Sequence, residues 1–336
     1  MEQSGHLLEI KKLSVDFKTV EGTVHAINDL SYFLNEGETL GIVGESGSGK
    51  SVSSLGIMKL IPNPPGEITH GEILYAAQDL VQLPEKAMEK IRGNEISMIF
   101  QEPMTSLNPI HTCGRQIAES LILHRGRKKK EAKAEAIELM RSVGIANPQV
   151  RAEEYPHQMS GGMRQRVMIA MALACKPKLL ICDEPTTALD VTIQAQILDL
   201  IRTLNQETGT AVIMITHDLG VVGELCERVI VMYAGKIVEE APTRLLFAAP
   251  LHPYSDGLIH AIPRITKDRP PLEIIEGVVP NPTETIEGCS FWPRCKQVMS
   301  KCRTQEPPLF EVEAGRNVKC WLCEDVERNG ASPESE

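Results

Sequence analysis

No stretch of this chain approaches the roughly 18 consecutive apolar residues that a membrane-spanning helix needs, although 42% of its 336 residues are hydrophobic. Excess positive charge is also missing: 35 Lys and Arg stand against 45 Asp and Glu, a formal net charge of −10. A nucleic-acid binder normally carries a basic stripe, so none is expected as a partner. The one basic run, Arg125–Lys130, continues into Glu131-Ala-Lys-Ala-Glu and reads as the solvated face and start of a mixed-charge helix. The first residues, Met-Glu-Gln-Ser-Gly-His, have no charged-then-apolar secretory pattern. The cytosol is therefore the expected location, with membrane contact only through partners. The length suggests two domains, or one large domain with an appendage.

Residues 7–43 alternate apolar and polar side chains, as in Leu8-Glu-Ile10 and Leu13-Ser-Val15, which predicts antiparallel strands with a turn near Glu21-Gly22. Leu40-Gly-Ile-Val43 reads as a buried strand, Ser51–Leu60 as the helix after it, and Pro62–Pro65 as its break. Glu95–Phe100 is a further short strand, and the pattern from Leu107 to Lys176 is helical. Leu179–Cys182 and Ala211–Thr216 are short apolar runs of the parallel-strand type, with an amphipathic helix at Ile193–Glu207 between them. Arg228–Met232 and Gly235–Glu239 read as a closing hairpin. Beyond Pro250, six prolines between Pro253 and Pro282 mark an irregular region, and the last seven residues read as a disordered tail.

Gly44-Glu45-Ser46-Gly47-Ser48-Gly49-Lys50-Ser51 matches the phosphate-loop pattern in full. Its glycines let the backbone aim N–H groups at phosphates, Lys50 can reach the β- and γ-phosphates, and Ser51 offers a hydroxyl to Mg²⁺. Asp183 and Glu184 end a buried strand, where α/β sheets bind ligands. Asp183 suits the Mg²⁺ shell, and Glu184, pointing differently, suits the attacking water. His217 follows the next strand and can hold the γ-phosphate or water, and Gln101 can sense γ-phosphate and Mg²⁺ through its amide. Ser160-Gly161-Gly162 opens a helix and forms a second phosphate cradle. One ATP does not need two cradles from one chain, so this one is expected to serve an ATP held by another subunit. There is no internal repeat, so each chain carries one nucleotide-binding unit.

In this order and spacing, the segments resemble the ATP-binding cassette of ABC transporters over residues 7–250. Gly44–Ser51 resembles Walker A, Leu179–Asp183 Walker B, Glu184 the catalytic glutamate, and Gln101 the Q-loop residue. Ser160-Gly161-Gly162-Met163-Arg164 resembles the signature, Ala188-Leu189-Asp190 the D-loop, and His217 the switch histidine. Met163 departs from the Gln usual there, while the three residues that meet the phosphate are intact. Phe17, 33 residues before Lys50, is the candidate for stacking on adenine, with Val24 and His25 as alternatives. Phe100–Pro109 and Leu251-His252-Pro253-Tyr254, running on to Pro263, resemble the oligopeptide/dipeptide-importer branch, with nickel or another small solute as an alternative cargo. A soluble ABC ATPase outside transport is the competing class, disfavoured by the single cassette and acidic balance.

The resemblance implies an α/β P-loop NTPase fold, with a RecA-like core, an antiparallel β-subdomain and an α-helical subdomain near 102–176. The cassette would occupy 1–250, a C-terminal region with the cysteines 251–330, and the tail 331–336. It implies an ATPase using ATP and Mg²⁺, paired with a second ATPase subunit, a paralogue. Its other partners would be two transmembrane permease subunits contacted through Phe100–Pro109 and, indirectly, a solute-binding protein. It would then sit peripherally on the cytoplasmic face of the membrane.

Nine cysteines are unevenly placed. Cys113, Cys175, Cys182 and Cys226 read as small core residues. Cys289, Cys295, Cys302, Cys320 and Cys323 crowd into 35 positions, which in a reducing compartment points to metal rather than disulfides. Zinc normally uses two close pairs, and only Cys320 and Cys323 form one. Widely spaced thiolates suit an iron–sulfur cluster at least as well, and unmetallated thiols are the third alternative. The importer branch with this cysteine pattern implies a [4Fe-4S] cluster on Cys289, Cys295, Cys302 and Cys320, with Cys323 as an extra. Its expected role is structural, since the region has many prolines and few apolar residues for a core of its own.

Overall fold

The computed structural model describes residues 5–101, 106–186, 191–261, 275–284 and 286–324. The proposed D-loop at Ala188–Asp190, part of the Phe100–Pro109 loop and the tail lie outside the described residues. Among those described, the strands in chain order are β1 (Leu8–Thr19), β2 (Gly22–Leu34), β3 (Thr39–Val43), β4 (Gly66–Tyr75), β5 (Gln78–Asp79), β6 (Ile96–Ile99), β7 (Leu179–Asp183), β8 (Ala211–Ile215), β9 (Arg228–Tyr233), β10 (Lys236–Pro242), β11 (Phe310–Glu313) and β12 (Arg316–Val318). Two compact units divide the chain. The first holds Met1–Leu7, Leu34–Thr39 and Asp79–Ile215; the second holds Leu8–Phe33, Leu40–Gln78 and Thr216–Glu336.

In the first unit β6, β7 and β8 run parallel, with Ile96 opposite Leu179 and Leu179 opposite Ala211. Every residue of the three strands is buried. Such continuous apolar runs are what a sheet covered on both faces requires, and they place Asp183 at a carboxyl end. The predicted helical stretch resolves into helices at Cys113–Arg125, Lys129–Ser142, Pro148–Arg151 and Gly161–Leu173. Gly126, at φ 62°, ends the first of them in the left-handed conformation that favours glycine. The helix Val191–Thr208 is amphipathic as expected, burying Ile197, Leu198 and Ile201.

In the second unit β2, β1 and β4 lie side by side, β1 and β4 antiparallel with Leu8 opposite Tyr75 and Phe17 opposite Gly66. Between Lys11 and Ser14, β1 carries one residue more than β4. An extra residue inverts the side-chain phase, which is how Leu8 and Ile10 before it and Leu13 and Val15 after it are all buried. β3 pairs parallel with β9, Leu40 opposite Arg228. β9 and β10 form the predicted hairpin, closed by Ala234 and Gly235 at φ 46° and 78°, the double positive φ of a tight two-residue turn.

The region beyond Pro250 is less irregular than expected. It holds the helix Pro253–His260 and the β11–β12 hairpin, and β12 pairs with β10, Glu239 opposite Val318. Its apolar residues are few, yet Phe310, Val318, Cys320 and Cys323 are buried together, with Leu251, Val312 and Trp321 packed on them. Its small core therefore grows from the edge of the β9–β10 hairpin. Among the described residues no helix is long and apolar enough to cross a membrane.

Candidate active site

The phosphate loop belongs to the second unit. Gly44 stands at φ 151°, and a Cβ there would lie 2.2 Å from the Met232 carbonyl oxygen. Gly49, at φ 97°, would press one to 2.6 Å from the Ala26 oxygen. Only glycine fits either place. The helix Lys50–Ile57 starts without a side-chain cap at Gly49, leaving its first backbone N–H groups to face an anion. Lys50 is buried, and its Nζ donates to the Gly44 oxygen at 2.7 Å and the Glu45 oxygen at 2.9 Å. It thus satisfies its ammonium on the loop's own carbonyls, beside the place where phosphate oxygens would take them over. His217, also in this unit, is exposed just beyond buried Thr216, and Asp218 caps the helix Leu219–Leu225 by accepting from the Gly220 and Val221 N–H groups.

Phe17 lies on β1 opposite Gly66, its ring against that glycine. The cavity beside Gly47 is lined instead by His25, Asn28, Lys236 and the Val279–Pro282 segment. Of the residues offered for adenine, His25 lines this cavity. His25 is held there by Asp16, Nδ1 to Oδ1 at 2.8 Å, and by its N–H donating to the Pro282 oxygen at 3.2 Å.

The first unit carries the acidic and signature residues. Asp183 is 4% exposed. Glu184 has φ 48° and donates its N–H to the Ile215 oxygen at 2.9 Å. A non-glycine residue in the left-handed region is unusual and needs its surroundings to hold it; here it turns the Glu184 side chain away from the line of the strand. Gln101 meets it, Nε2 donating to a Glu184 carboxylate oxygen at 3.1 Å. Two of the residues singled out in the sequence, 83 positions apart, are thus brought together.

Ser160 caps the helix Gly161–Leu173, its hydroxyl oxygen accepting from the Met163 N–H at 3.3 Å. Ser160 and Gly161 are exposed, and a Cβ on Gly161 would meet nothing within 4 Å. The cradle opens outward. Behind it the helix is anchored firmly: buried Gln165 donates to the Pro185 oxygen, and buried Arg166 to the Val143 and Gly144 oxygens. The four scattered cysteines, Cys113, Cys175, Cys182 and Cys226, are all buried, as expected.

The cysteine-rich region is tied down by a buried carboxylate that sequence reasoning missed. Glu239, on β10, is fully buried; it accepts from the Leu251 and His252 N–H groups, both at 2.9 Å, and lies 3.8 Å from Arg316. Exposed ion pairs such as Lys18–Glu67 contribute only about 0–1 kcal/mol. Losing one partner of a buried pair costs about 3–5 kcal/mol, so the Glu239 network outweighs them. The one available signal was that Glu239 falls inside the strand read at Gly235–Glu239.

Among the described residues no three His, Cys, Asp or Glu side chains are arranged to hold a single metal ion. The cysteines nevertheless gather. Cys289 donates its N–H to the Cys302 oxygen at 2.8 Å. Burial first, then the nearby Cys302 and Cys295 thiols, raises the Cys289 thiol. Burial pushes Cys320 up to about 12, with Cys323, Cys289 and Cys295 adding to it. Cys323 is raised by burial and then feels Glu239 and Arg316 rather than Cys289, Cys295 or Cys302. Cys289, Cys295 and Cys320 are thus each raised by burial and by neighbouring thiols, and a cationic centre would relieve them.

A family model described as ABC transporter matches residues 27–187, and one described as the oligopeptide/dipeptide transporter C-terminal region matches residues 238–302. The chain is 51% identical over 319 residues to the oligopeptide transport ATP-binding protein AppD of Bacillus subtilis (strain 168), covering 95% of this chain and 97% of that protein. It is 49% identical over 314 residues to the dipeptide transport ATP-binding protein DppD of Escherichia coli (strain K12), covering 94% and 96%. Among solved structures, the dimeric post-hydrolysis state of the ATP-binding cassette MJ0796 bound to ADP and Pi superposes with a TM-score of 0.65 at 31% identity. That match covers 70% of this chain and 99% of the other.

Proposed function

This chain belongs to the ATP-binding subunits of the oligopeptide/dipeptide ABC transporters, and from that premise we propose how its own residues divide the work. The chain is the ATPase that powers a peptide transporter, in association with transmembrane permease subunits. Lys50 and the Gly44–Ser51 backbone bind the β- and γ-phosphates, and Ser51, Asp183 and Gln101 hold Mg²⁺, which when bound offsets charge on the phosphates. Glu184 orients the attacking water and takes its proton, and His217 holds the γ-phosphate. Ser160, Gly161 and Gly162 serve the ATP of the second cassette, a paralogue in our reading, with a solute-binding protein delivering the peptide. The cassette occupies residues 1–250 and works at the cytoplasmic face of the membrane.

The observation that carries this division is the Gln101–Glu184 hydrogen bond. It places a neutral amide against the carboxylate that must meet water, so that the two can exchange partners when nucleotide arrives. Glu184→Gln is expected to bind ATP like the natural chain while losing more than about 90% of its turnover in the assembled transporter, a loss within the range for removing a general base. Turnover above a tenth of the natural rate would remove Glu184 from that role.

We propose that Cys289, Cys295, Cys302 and Cys320 hold a [4Fe-4S] cluster, with zinc as the alternative. One zinc ion would draw its sulfurs to about 2.3 Å from a common centre, an arrangement absent among the described residues. The cluster would brace the fold of this region, with Cys323 outside it.

A further inference from the structure

Glu45, the second residue of the phosphate loop, is held by a residue 249 positions away. Arg294 donates through Nη1 and Nη2 to the two Glu45 carboxylate oxygens, at 2.6 and 2.9 Å. Arg294 immediately precedes Cys295, and its side chain is 4% exposed against 28% for Glu45. The rest of its fork is engaged too. Nε donates to the Glu276 oxygen at 3.0 Å, Nη2 to the Ile275 oxygen at 3.4 Å, and Nη1 to the Tyr233 hydroxyl at 3.4 Å.

A second grip comes from the Leu251–Tyr254 motif: the Glu45 N–H donates to the buried Tyr254 hydroxyl at 2.8 Å. Tyr254 packs on Tyr233 and Phe291, ring centres 4.7 and 5.4 Å apart, and Phe291 lies between Cys289 and Cys295 in the chain. Glu45 in turn fixes the loop. Its carbonyl oxygen accepts from Lys50 Nζ at 2.9 Å and from the Ser48 N–H at 3.2 Å. A carboxylate this close to a phosphate cradle would repel the ligand unless neutralised, and a bidentate guanidinium neutralises and orients it at once.

We propose that Arg294 is a positioning residue for ATP binding, which presets the phosphate loop by holding and neutralising Glu45 and so makes nucleotide affinity depend on the folding of the cysteine-rich region. The proposal does not depend on what the cysteines bind.

Two variants and their combination test it, by equilibrium binding of ATP to the full chain and by KM and kcat in the assembled transporter. Arg294→Met leaves the Glu45 carboxylate unpaired, and is expected to raise Kd and KM for ATP roughly tenfold while kcat moves less than about twofold. Adding Glu45→Gln removes the stranded charge and is expected to recover most of that affinity, the non-additivity of a direct pair. A variant that merely unfolded the cysteine-rich region could not be rescued by a change in the phosphate loop. The proposal is overturned if Arg294→Met leaves Kd within twofold of the natural value, or if the double variant binds ATP no better than Arg294→Met alone.

Discussion

Gly44–Ser51 keeps its shape through its own backbone, whereas Cys289–Cys323 keeps its shape through what it is tied to. In the phosphate loop each glycine answers a local demand, a positive φ or an approach that no Cβ would survive, and Lys50 folds back onto carbonyls five and six residues away. The cysteine-rich region has a core of four buried residues, and its order comes from strand pairing to β10, from Glu239 holding the Leu251 and His252 backbone, and from the gathered thiols. A loop held mostly in this way is expected to fail first at its own residues. A dependent region fails wherever one of its ties is cut. The Arg294–Glu45 pair joins the two, so a loss in the dependent region is transmitted to the self-sufficient one.

Three changes sharpen that contrast. Cys320→Ser has the largest expected effect. Cys320 lies among the gathered thiols. On the proposed cluster its loss should strip the purified chain of the iron and sulfide assigned there, with a melting temperature several degrees lower; iron content and calorimetry read both. Acid should act next, through His252. This imidazole is buried and uncharged, its Nδ1 accepting from the Tyr254 N–H at 3.0 Å, and burial pushes its pKa down to about 3. In the unfolded chain it takes up a proton near pH 6.5, so below that value the unfolded state binds a proton that the folded state refuses. Stability is therefore full above about pH 6.5 and falls as the pH drops toward 3. His252→Asn, which keeps a capping oxygen, should flatten that decline in melting temperature between pH 7 and 5. Cys323→Ser has the smallest expected effect. On the proposed ligand set it should leave iron content unchanged; a loss equal to that of Cys320→Ser would make it a ligand.

The same contrast explains what was legible in the sequence. Phosphate-loop, Asp183-Glu184 and Ser160-Gly161-Gly162 spacings could be read because backbone stereochemistry ties each residue type to a local conformation. The parallel strands could be read because burial on both faces demands continuous apolar runs such as Leu179–Cys182. What joins distant segments was not legible. Nothing in the string Trp-Pro-Arg marks Arg294 as the partner of Glu45, and a fully buried glutamate at 239 looks like any surface acid. The β11–β12 hairpin was hidden because its strands are four and three residues long, too short for alternation to stand out among prolines. Phe17 drew attention as an aromatic ahead of the phosphate loop, but the bulge between Lys11 and Ser14 sets the side-chain phase of β1, and such a shift leaves no mark in composition.

The central claim is that the cradle at Ser160–Gly162 serves an ATP bound by another cassette. Ser160→Arg tests it most directly, because the cradle is exposed and has room for a larger side chain. ATP affinity of the isolated chain should be unchanged, while turnover of the assembled transporter should fall by more than about tenfold, as expected for loss of donors to developing phosphate charge. Weakened ATP binding by the isolated chain, or natural turnover in the assembled transporter, would contradict it.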